Sequence, residues 1–463
     1  MITIAEYISR FLSEQGLEQC FIVPGGGAMF INEAFRKNKS VNVIPMHHEQ
    51  ACAMAAEGYT KLNNKPAILS VTTGPGSINS LNGVYGAYTD SIPMFIVSGQ
   101  VKRETYGPLQ NKNLRQLGDQ EVDIVSMVKK ITKYSTTITN TNVKHIDQIL
   151  EKAIKIMLTG RKGPVWIDVP IDIQSTNVKI KKFTKIKIEQ KKVDLSHKLQ
   201  KVIKLLNNSK RPVVIVGSGI RLSGSDKILL KFLKKFNLPV VTTFNSHDLV
   251  DHENPLYVGR QGTIGDRSGN FAVQNSDLLI ILGSRLNIRQ IGYNFAEFSP
   301  NSKKIMVDID EEEMNKNTLS IDLKINADLN NFLKEILNLK LEDKYDFSEF
   351  IKWAKNLQEK YPVVNKDFYK SREINPYVLM ELIHKHSLDE NVIVTSDGTA
   401  AVMSSQALKL KKNQRLFSNS GSASMGYGLP ASIGACFATS LNQKVICIEG
   451  DGSIQMNIQE LAT

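Results

Sequence analysis

One pattern recurs along the chain: a short apolar run, closed by glycine and followed by a helical stretch. Phe21-Ile22-Val23 ends in Pro24-Gly25-Gly26-Gly27, Ala67-Ile68-Leu69-Ser70-Val71 in Thr72-Thr73-Gly74-Pro75-Gly76, and Met94-Phe95-Ile96-Val97 in Ser98-Gly99. Runs this short suit strands rather than helices, and runs without polar alternation suit strands buried on both faces. The expected fold class is therefore α/β, built on doubly wound parallel sheets with helices on both sides. In such sheets the ligand site lies at the carboxyl ends of the strands, where the glycines stand.

A chain of 463 residues is too long for one hydrophobic core, and the pattern breaks twice. Residues 1–172 form a first α/β domain, and a Lys-rich linker covers 173–198. A central Rossmann-like domain spans 199–340, with strands at Pro212–Val216, Leu238–Thr242, Asp277–Leu282 and Lys303–Val307. A second polar linker, 341–375, leads to a third domain at 376–463. That domain opens with a helix at Pro376–His386, continues with the strand Val392–Val394, and reaches the strand Val445–Ile448 close to the last residue, so it is expected to be incomplete.

The net charge of +12 comes from lysines spread along the chain rather than clustered, which argues against a nucleic-acid partner. No apolar run approaches the ~18 residues of a membrane span, and the start Met1-Ile2-Thr3-Ile4 has no leader pattern, so a cytoplasmic protein without membrane attachment is expected. Cys20, Cys52, Cys436 and Cys447 follow no metal or disulfide spacing and read as reduced core residues.

Three segments carry chemistry. Glu449-Gly450-Asp451-Gly452-Ser453 sits where an apolar strand gives way to a helix. A carboxylate flanked by glycines there suits a hard divalent cation holding a phosphate, although the tripeptide alone reads first as a Gly-Asp-Gly turn. His47-His48-Glu49-Gln50 precedes the alanine-rich run Ala51–Tyr59. Glu49 reads by itself as a first-turn acid favoured by the helix dipole. Gly421–Pro430 with the run Ala431–Ala435, four glycines in all leading into an apolar helix, allows either close approach to a flat or phosphorylated ligand or tight helix packing.

In this order, these segments resemble the thiamine-diphosphate enzymes of the acetolactate synthase and pyruvate oxidase type. The resemblance runs over the whole chain, from the Pro24–Gly27 loop through His48-Glu49-Gln50, Thr73–Gly76, Gln120-Glu121, Arg161 with Gly163-Pro164, Asp308-Ile309-Asp310 and Met425–Pro430 to Gly450–Ser453. It implies that Glu49 bonds the cofactor's pyrimidine nitrogen, so that the cofactor's own amino group acts as the base. Gln120 would serve beside Glu49 as a catalytic residue. Gly25, Gly26, Thr73, Asn79, Gly398, Thr399, Gly450, Gly452 and Ser453 would contact the cofactor, Met425 would wedge its two rings into a bent shape, and Asp451 would ligate Mg2+. The reaction implied is decarboxylation of a 2-oxo acid such as pyruvate and carboligation to a second carbonyl. The resemblance also implies a homodimer or tetramer, and a regulatory subunit if the chain acts in branched-chain amino acid biosynthesis.

For FAD, Arg161, Gly262, Thr263, Arg285, Asp308 and Asp310 match positions of that family, while Leu286-Asn287-Ile288-Arg289 departs from its acidic segment. Nicotinamide is not expected, because Gly217, Gly219 and Gly224 miss the dinucleotide spacing. Two further departures bear on activity. Only 12 residues follow Asp451, fewer than the family needs for its second metal ligand, so a fragment without activity is one expectation. Asp119 stands where an aromatic residue is usual, which together with Gly99–Gly118 points to a related carboligase with another acceptor, such as a nucleotide-linked keto sugar in sugar biosynthesis.

Overall fold

A computed structural model describes the chain except for residues 108–112, 189–192, 341–344 and 441–442. Parts of both expected linkers and of Gly99–Gly118 thus lie outside the described residues. The chain divides into two compact units, Met1–Glu189 with Val394–Gly398 and Ser418–Thr463, and Gln190–Ile393 with Thr399–Phe417. The described residues form four sheets, two of six strands, a small one of three and a two-stranded pairing.

The first unit's large sheet runs Asn42–Pro45, Gln19–Ile22, Ala67–Val71, Met94–Gln100, Val165–Pro170, Tyr134–Thr137, with every neighbouring pair parallel. Its central strands are buried along their whole length, as the unbroken apolar runs require. From Gln19–Ile22 the chain crosses first to one side, for Asn42–Pro45, and then to the other, for Ala67–Val71. The loops after Ile22 and Val71 therefore diverge around a crevice, the place where such a sheet accepts a ligand.

The first part of the expected linker 173–198, up to Ile186, is anchored to this unit, while its end at Ser196 opens a helix of the second unit. Asn177–Val178 pairs with Ile2–Thr3, and Phe183 sets its ring edge-on against Tyr7 and Phe11 at 4.9 and 5.7 Å. Sparse apolar residues in a Lys-rich run are enough to hold it on the helix Ile4–Glu14.

The second unit's sheet runs Tyr257–Arg260, Val240–Thr242, Pro212–Val216, Leu278–Leu282, Lys303–Asp308, Leu323–Asn326, again all parallel. That is the strand order of a dinucleotide-binding sheet, with its divergence after Val216 and Leu282. There a Cβ on Gly217 would stand 2.2 Å from the Gly283 carbonyl, so the glycines bring two turns together. The stretch expected as linker 341–375 carries a helix, Ser348–Lys360, which buries only Phe350 and Ala354. With so narrow a buried stripe, the sequence around it reads as polar throughout.

The third sheet orders Arg415–Phe417, Val392–Thr395 and Val445–Ile448. Val445–Ile448 is an edge strand, and Cys447 on it is exposed, as is Cys436. The reading of all four cysteines as core residues is corrected here: Cys447 lies on an edge strand with little packed against its side chain, and Cys436 is the last residue of the helix Gly428–Cys436, beyond its packed length. Cys20 and Cys52 are buried. Among the described residues no helix is long and apolar enough to cross a membrane.

Candidate active site

The helix Glu49–Asn63 starts at the mouth of the first sheet. His48 caps it, its Nδ1 accepting from the Gln50 amide at 3.1 Å, and this satisfies one of the donors a helix start leaves unpaired. Glu49 is only 8% exposed, and its Oε2 accepts from Asn79 Nδ2 at 3.0 Å. The backbone leaves room for that carboxylate: a Cβ on Gly76 would come within 3.0 Å of Oε1. The two crevice loops also interlock through glycine, since a Cβ on Gly25 would meet Thr72 at 2.5 Å and one on Gly27 would meet Thr73 at 2.6 Å. Glu49, Asn79, Gly25 and Thr73 are thereby gathered at one crevice.

Thr73 turns inward. Its hydroxyl is shared between Gln100 Oε1 at 3.1 Å and the Gln120 carbonyl at 3.2 Å. Gln120 is exposed and has φ +59, and Gly74 beside it, at φ +57, must be glycine because a Cβ would sit 2.1 Å from the Gln120 carbonyl. The turn is held further by Glu121, whose buried carboxylate accepts from the amides of Gly107, Leu117 and Gly118 at 2.8–3.2 Å. Asp119 stands exposed on the same turn.

Behind this surface runs a polar layer that the sequence reading missed. Gln100 Nε2 donates to Asp168 at 3.3 Å and to the Val122 carbonyl at 3.0 Å, and Ser98 donates to Asp168 at 2.6 Å. Asp168 is fully buried, and that burial, only partly offset by these hydrogen bonds, pushes its carboxyl up to about 7. A carboxylate in mid-strand was the available signal, since a buried acid must find partners.

The second cluster lies on 418–463. Met425 is 45% exposed, with its methyl 3.8 Å from where a Gly452 Cβ would be. Gly450 caps the short helix Asp451–Ile454, and Asp451 and Gly452 face solvent. Ser453 points inward instead, its hydroxyl bonded to Ser396 at 2.7 Å and to the Gly426 amide at 2.8 Å. Gly398, at φ +66, opens the helix Gly398–Ala407 with nothing within 4 Å of its missing side chain. Thr399 beside it is exposed.

Helix Glu49–Asn63 packs antiparallel on Gly428–Cys436, with Ala55 against Gly434 and Gly58 against Ala431. Lys61 stands over the Tyr427 ring at 5.5 Å. At 1.5 Å per residue, Lys61 is roughly 18 Å along the helix from Glu49. The loop carrying Met425 is thus fastened by Lys61 at the far end of the helix from Glu49, and again at Gly426, whose carbonyl accepts from Asn457 at 2.7 Å.

These residues fit an elongated ligand with a polar ring and a diphosphate. Exposed glycines with no nearby atom, Gly26 and Gly398, let such a ligand approach the backbone, and Glu49 offers an oriented carboxylate. A metal fits less fully: among the described residues no three His, Cys, Asp or Glu side chains converge, so Asp451 would share the ion with phosphate oxygens.

The residues considered for flavin divide. Arg161 lies in the first unit and donates to Ser91 at 2.8 Å. In the second unit, Asp310 caps the helix Glu311–Asn315 and Asp308 accepts from the Asp310 amide at 2.9 Å, so both carboxylates are engaged. Thr263 donates its amide to the Arg289 carbonyl at 2.7 Å, and the Arg285 carbonyl accepts from Lys316. Around Gly262, however, the side-chain oxygens of Gln261, Asn287 and Gln290 are buried without a partner, which suits a ligand bearing hydrogen-bond donors.

Comparison with known proteins gives a consistent result. Three family models match: the thiamine pyrophosphate enzyme N-terminal TPP binding domain at residues 2–127, the central domain at 199–336 and the C-terminal TPP binding domain at 397–463. A probable acetolactate synthase large subunit of Methanococcus aeolicus is 32% identical over 99% of this chain and 78% of its own length. The acetolactate synthase large subunit of Lactococcus lactis is 33% identical over 99% and 77%, and the isozyme 1 large subunit of Escherichia coli is 31% identical over 100% and 79%.

Proposed function

Since the chain belongs to the thiamine pyrophosphate enzymes, in the family of the acetolactate synthase large subunits, we propose that it decarboxylates pyruvate and joins the two-carbon unit to a second carbonyl. The observation that carries this reading is the buried Glu49 carboxylate, held by Asn79 at the divergence of the first sheet. Thiamine diphosphate, when bound, supplies an acidic thiazolium carbon and an electron sink. Glu49 presents a fixed acceptor to a ring N–H, and Asn79 sets its direction. Gly26, Gly398 and Gly450 admit the cofactor to the backbone, Met425 offers it an exposed apolar support, and Asp451 would hold Mg2+ against the diphosphate.

Membership of this family supports a homodimer in which one copy supplies the Glu49 carboxylate and the other the Met425 loop. The relatives are named as large subunits, which supports a regulatory partner for this chain as well. Four free cysteines suit a reducing cytoplasm. The orphaned amide oxygens around Gly262 support FAD in the second unit, which the absorbance of the purified protein tests. A second reading of the acceptor rests on Asp119: an exposed acid beside Gln120 repels a second carboxylate and bonds a polyhydroxylated carbonyl compound.

The test is calorimetric titration of the 463-residue protein with thiamine diphosphate and magnesium. Binding is expected, with Glu49→Gln retaining it while losing ~100-fold or more of pyruvate turnover. Acetolactate formed from pyruvate alone selects the first acceptor reading; pyruvate consumed only with a sugar ketone selects the second. Absence of binding overturns the cofactor assignment and leaves a non-catalytic chain.

A further inference from the structure

Three turns beyond Glu49, the same helix carries a buried charge cluster for which the proposed reaction has no direct use. Lys61 is 8% exposed, and its ammonium lies 2.6 Å from Glu57 Oε1 and 2.7 Å from Asp90 Oδ2. It also donates to the Ser418 carbonyl at 2.5 Å and faces the Tyr427 ring. Burial works against its charge, but Asp90 and Glu57 more than offset this and hold the ammonium's pKa above its ordinary value. Burial likewise pushes the Glu57 carboxyl up to about 7 and the Tyr427 phenol well above its usual range.

The partners of this cluster converge on one loop. Asp90, which ends the helix Leu81–Thr89, accepts from the Gly421 amide at 3.1 Å, and Ser424 donates to Asn82 of that helix at 2.7 Å. A Cβ on Gly421 would stand 2.5 Å from Asp90 Oδ1, so the loop backbone lies directly on the cluster. At its other end, Gly426 is bonded through its amide to Ser453 and through its carbonyl to Asn457 at 2.7 Å. Met425 stands beside that second anchor. The intervening residues Gly421, Ser422, Ala423 and Ser424 have no large apolar side chain to seat the loop, and Ala423 is in the left-handed region at φ +56. Such a segment keeps its shape only if its surroundings impose it.

We propose that Lys61 is a positioning residue for the cofactor, fixing the 418–428 loop against the helix that starts at Glu49 and so setting where Met425 stands. This rests on the thiamine diphosphate reading above. An ammonium is suited to the role because it brings three donors to acceptors on three different segments. A methionine at 61 keeps the stem and loses those donors, whereas arginine keeps the charge.

The test is hydrogen exchange of the 463-residue protein and its Lys61→Met and Lys61→Arg variants, each with and without thiamine diphosphate and magnesium. In Lys61→Met the amides of 419–426 are expected to exchange about 10-fold faster, while Ala67–Val71 keeps its protection. The dissociation constant for thiamine diphosphate is expected to rise about 10-fold, with KM for pyruvate at saturating cofactor moving less than about twofold. Lys61→Arg should recover most of both changes. Asp90→Asn repeats the pattern more weakly and serves if Lys61→Met does not fold. Unchanged protection of 419–426 in a folded variant overturns the proposal, and so does a loss spread equally over the strands. If the wild type binds no thiamine diphosphate, the functional reading fails, while the exchange arm still decides whether Lys61 holds the loop.

Discussion

Replacing Gly434 with alanine tests the packing on which the first unit depends. The added Cβ would stand 1.9 Å from the Ala55 carbonyl oxygen, where ordinary contact begins at 3.4 Å, so the two helices must part by the difference, about 1.5 Å. A gap of even ~1 Å forfeits up to about half the dispersion energy of the atoms that face it. Overpacking of this kind costs ~1–3 kcal/mol, and the upper end applies here because both contacting groups are backbone and cannot rotate aside. At about 2–4 °C per kcal/mol for a large unit, the melting temperature should fall by roughly 6–12 °C. Gly26→Ala is the control, because nothing lies within 4 Å of its missing side chain and its φ is not positive. It should change stability by less than ~0.5 kcal/mol, while weakening thiamine diphosphate binding. Scanning calorimetry of both variants, with and without cofactor, makes the comparison. A Gly434→Ala protein melting within 2 °C of wild type, or a Gly26→Ala protein that falls as far, refutes the reasoning.

Two other perturbations address the polar layer behind the site. Asp168 has its carboxyl raised from 3.8 to about 7 in the folded protein, a difference worth ~4 kcal/mol. The raised value favours the protonated folded form, so the associated destabilisation is absent below pH 3.8 and accrues as pH rises towards 7. Asp168→Asn removes this slope: it should lose a roughly constant ~1 kcal/mol of hydrogen bonding, yet gain on wild type between pH 5 and 8, and a pH-independent offset in denaturation would falsify the assignment. Glu121→Gln keeps one acceptor oxygen and sets amide hydrogens against the amide of either Leu117 or Gly118, at a cost of ~1–3 kcal/mol. Trypsin should then cleave after Arg115 several-fold faster than in wild type, and equal rates would show that Glu121 does not hold the turn.

Much of the scaffold was legible because strand burial and helix capping leave local signatures. Ala67–Val71 and the helix Pro376–His386 lie where their apolar run and Asn-Pro start put them. Glu49 was recognisable from the segment around it, but its burial comes from the Gly76 and Asn79 segment packed over it, which the local sequence does not show. What local sequence does not carry is the direction in which a polar side chain finds its partners. Thr73 and Ser453 read as ligand contacts, yet both hydroxyls turn inward to meet protein groups. Lys61 carries no local signal beyond a glutamate four residues before it, because Ser418, its third partner, lies 357 positions away. The helix Ser348–Lys360 was hidden for a related reason, since two buried residues per thirteen leave no visible period.

The antiparallel contact between Gly58 and Ala431 also has a meaning in time. These residues are 373 positions apart, and at ~5–20 residues per second a ribosome needs roughly 20–75 s to go from one to the other. Throughout that interval the helix at 49–63 has been made while its partner does not exist, leaving Ala51, Ala55 and Gly58 without their cover. Most of the second unit, continuous over 190–393, emerges and can fold within the same interval. The unit begun second is therefore the first to be finished, and the one that holds Glu49 spends its early life open.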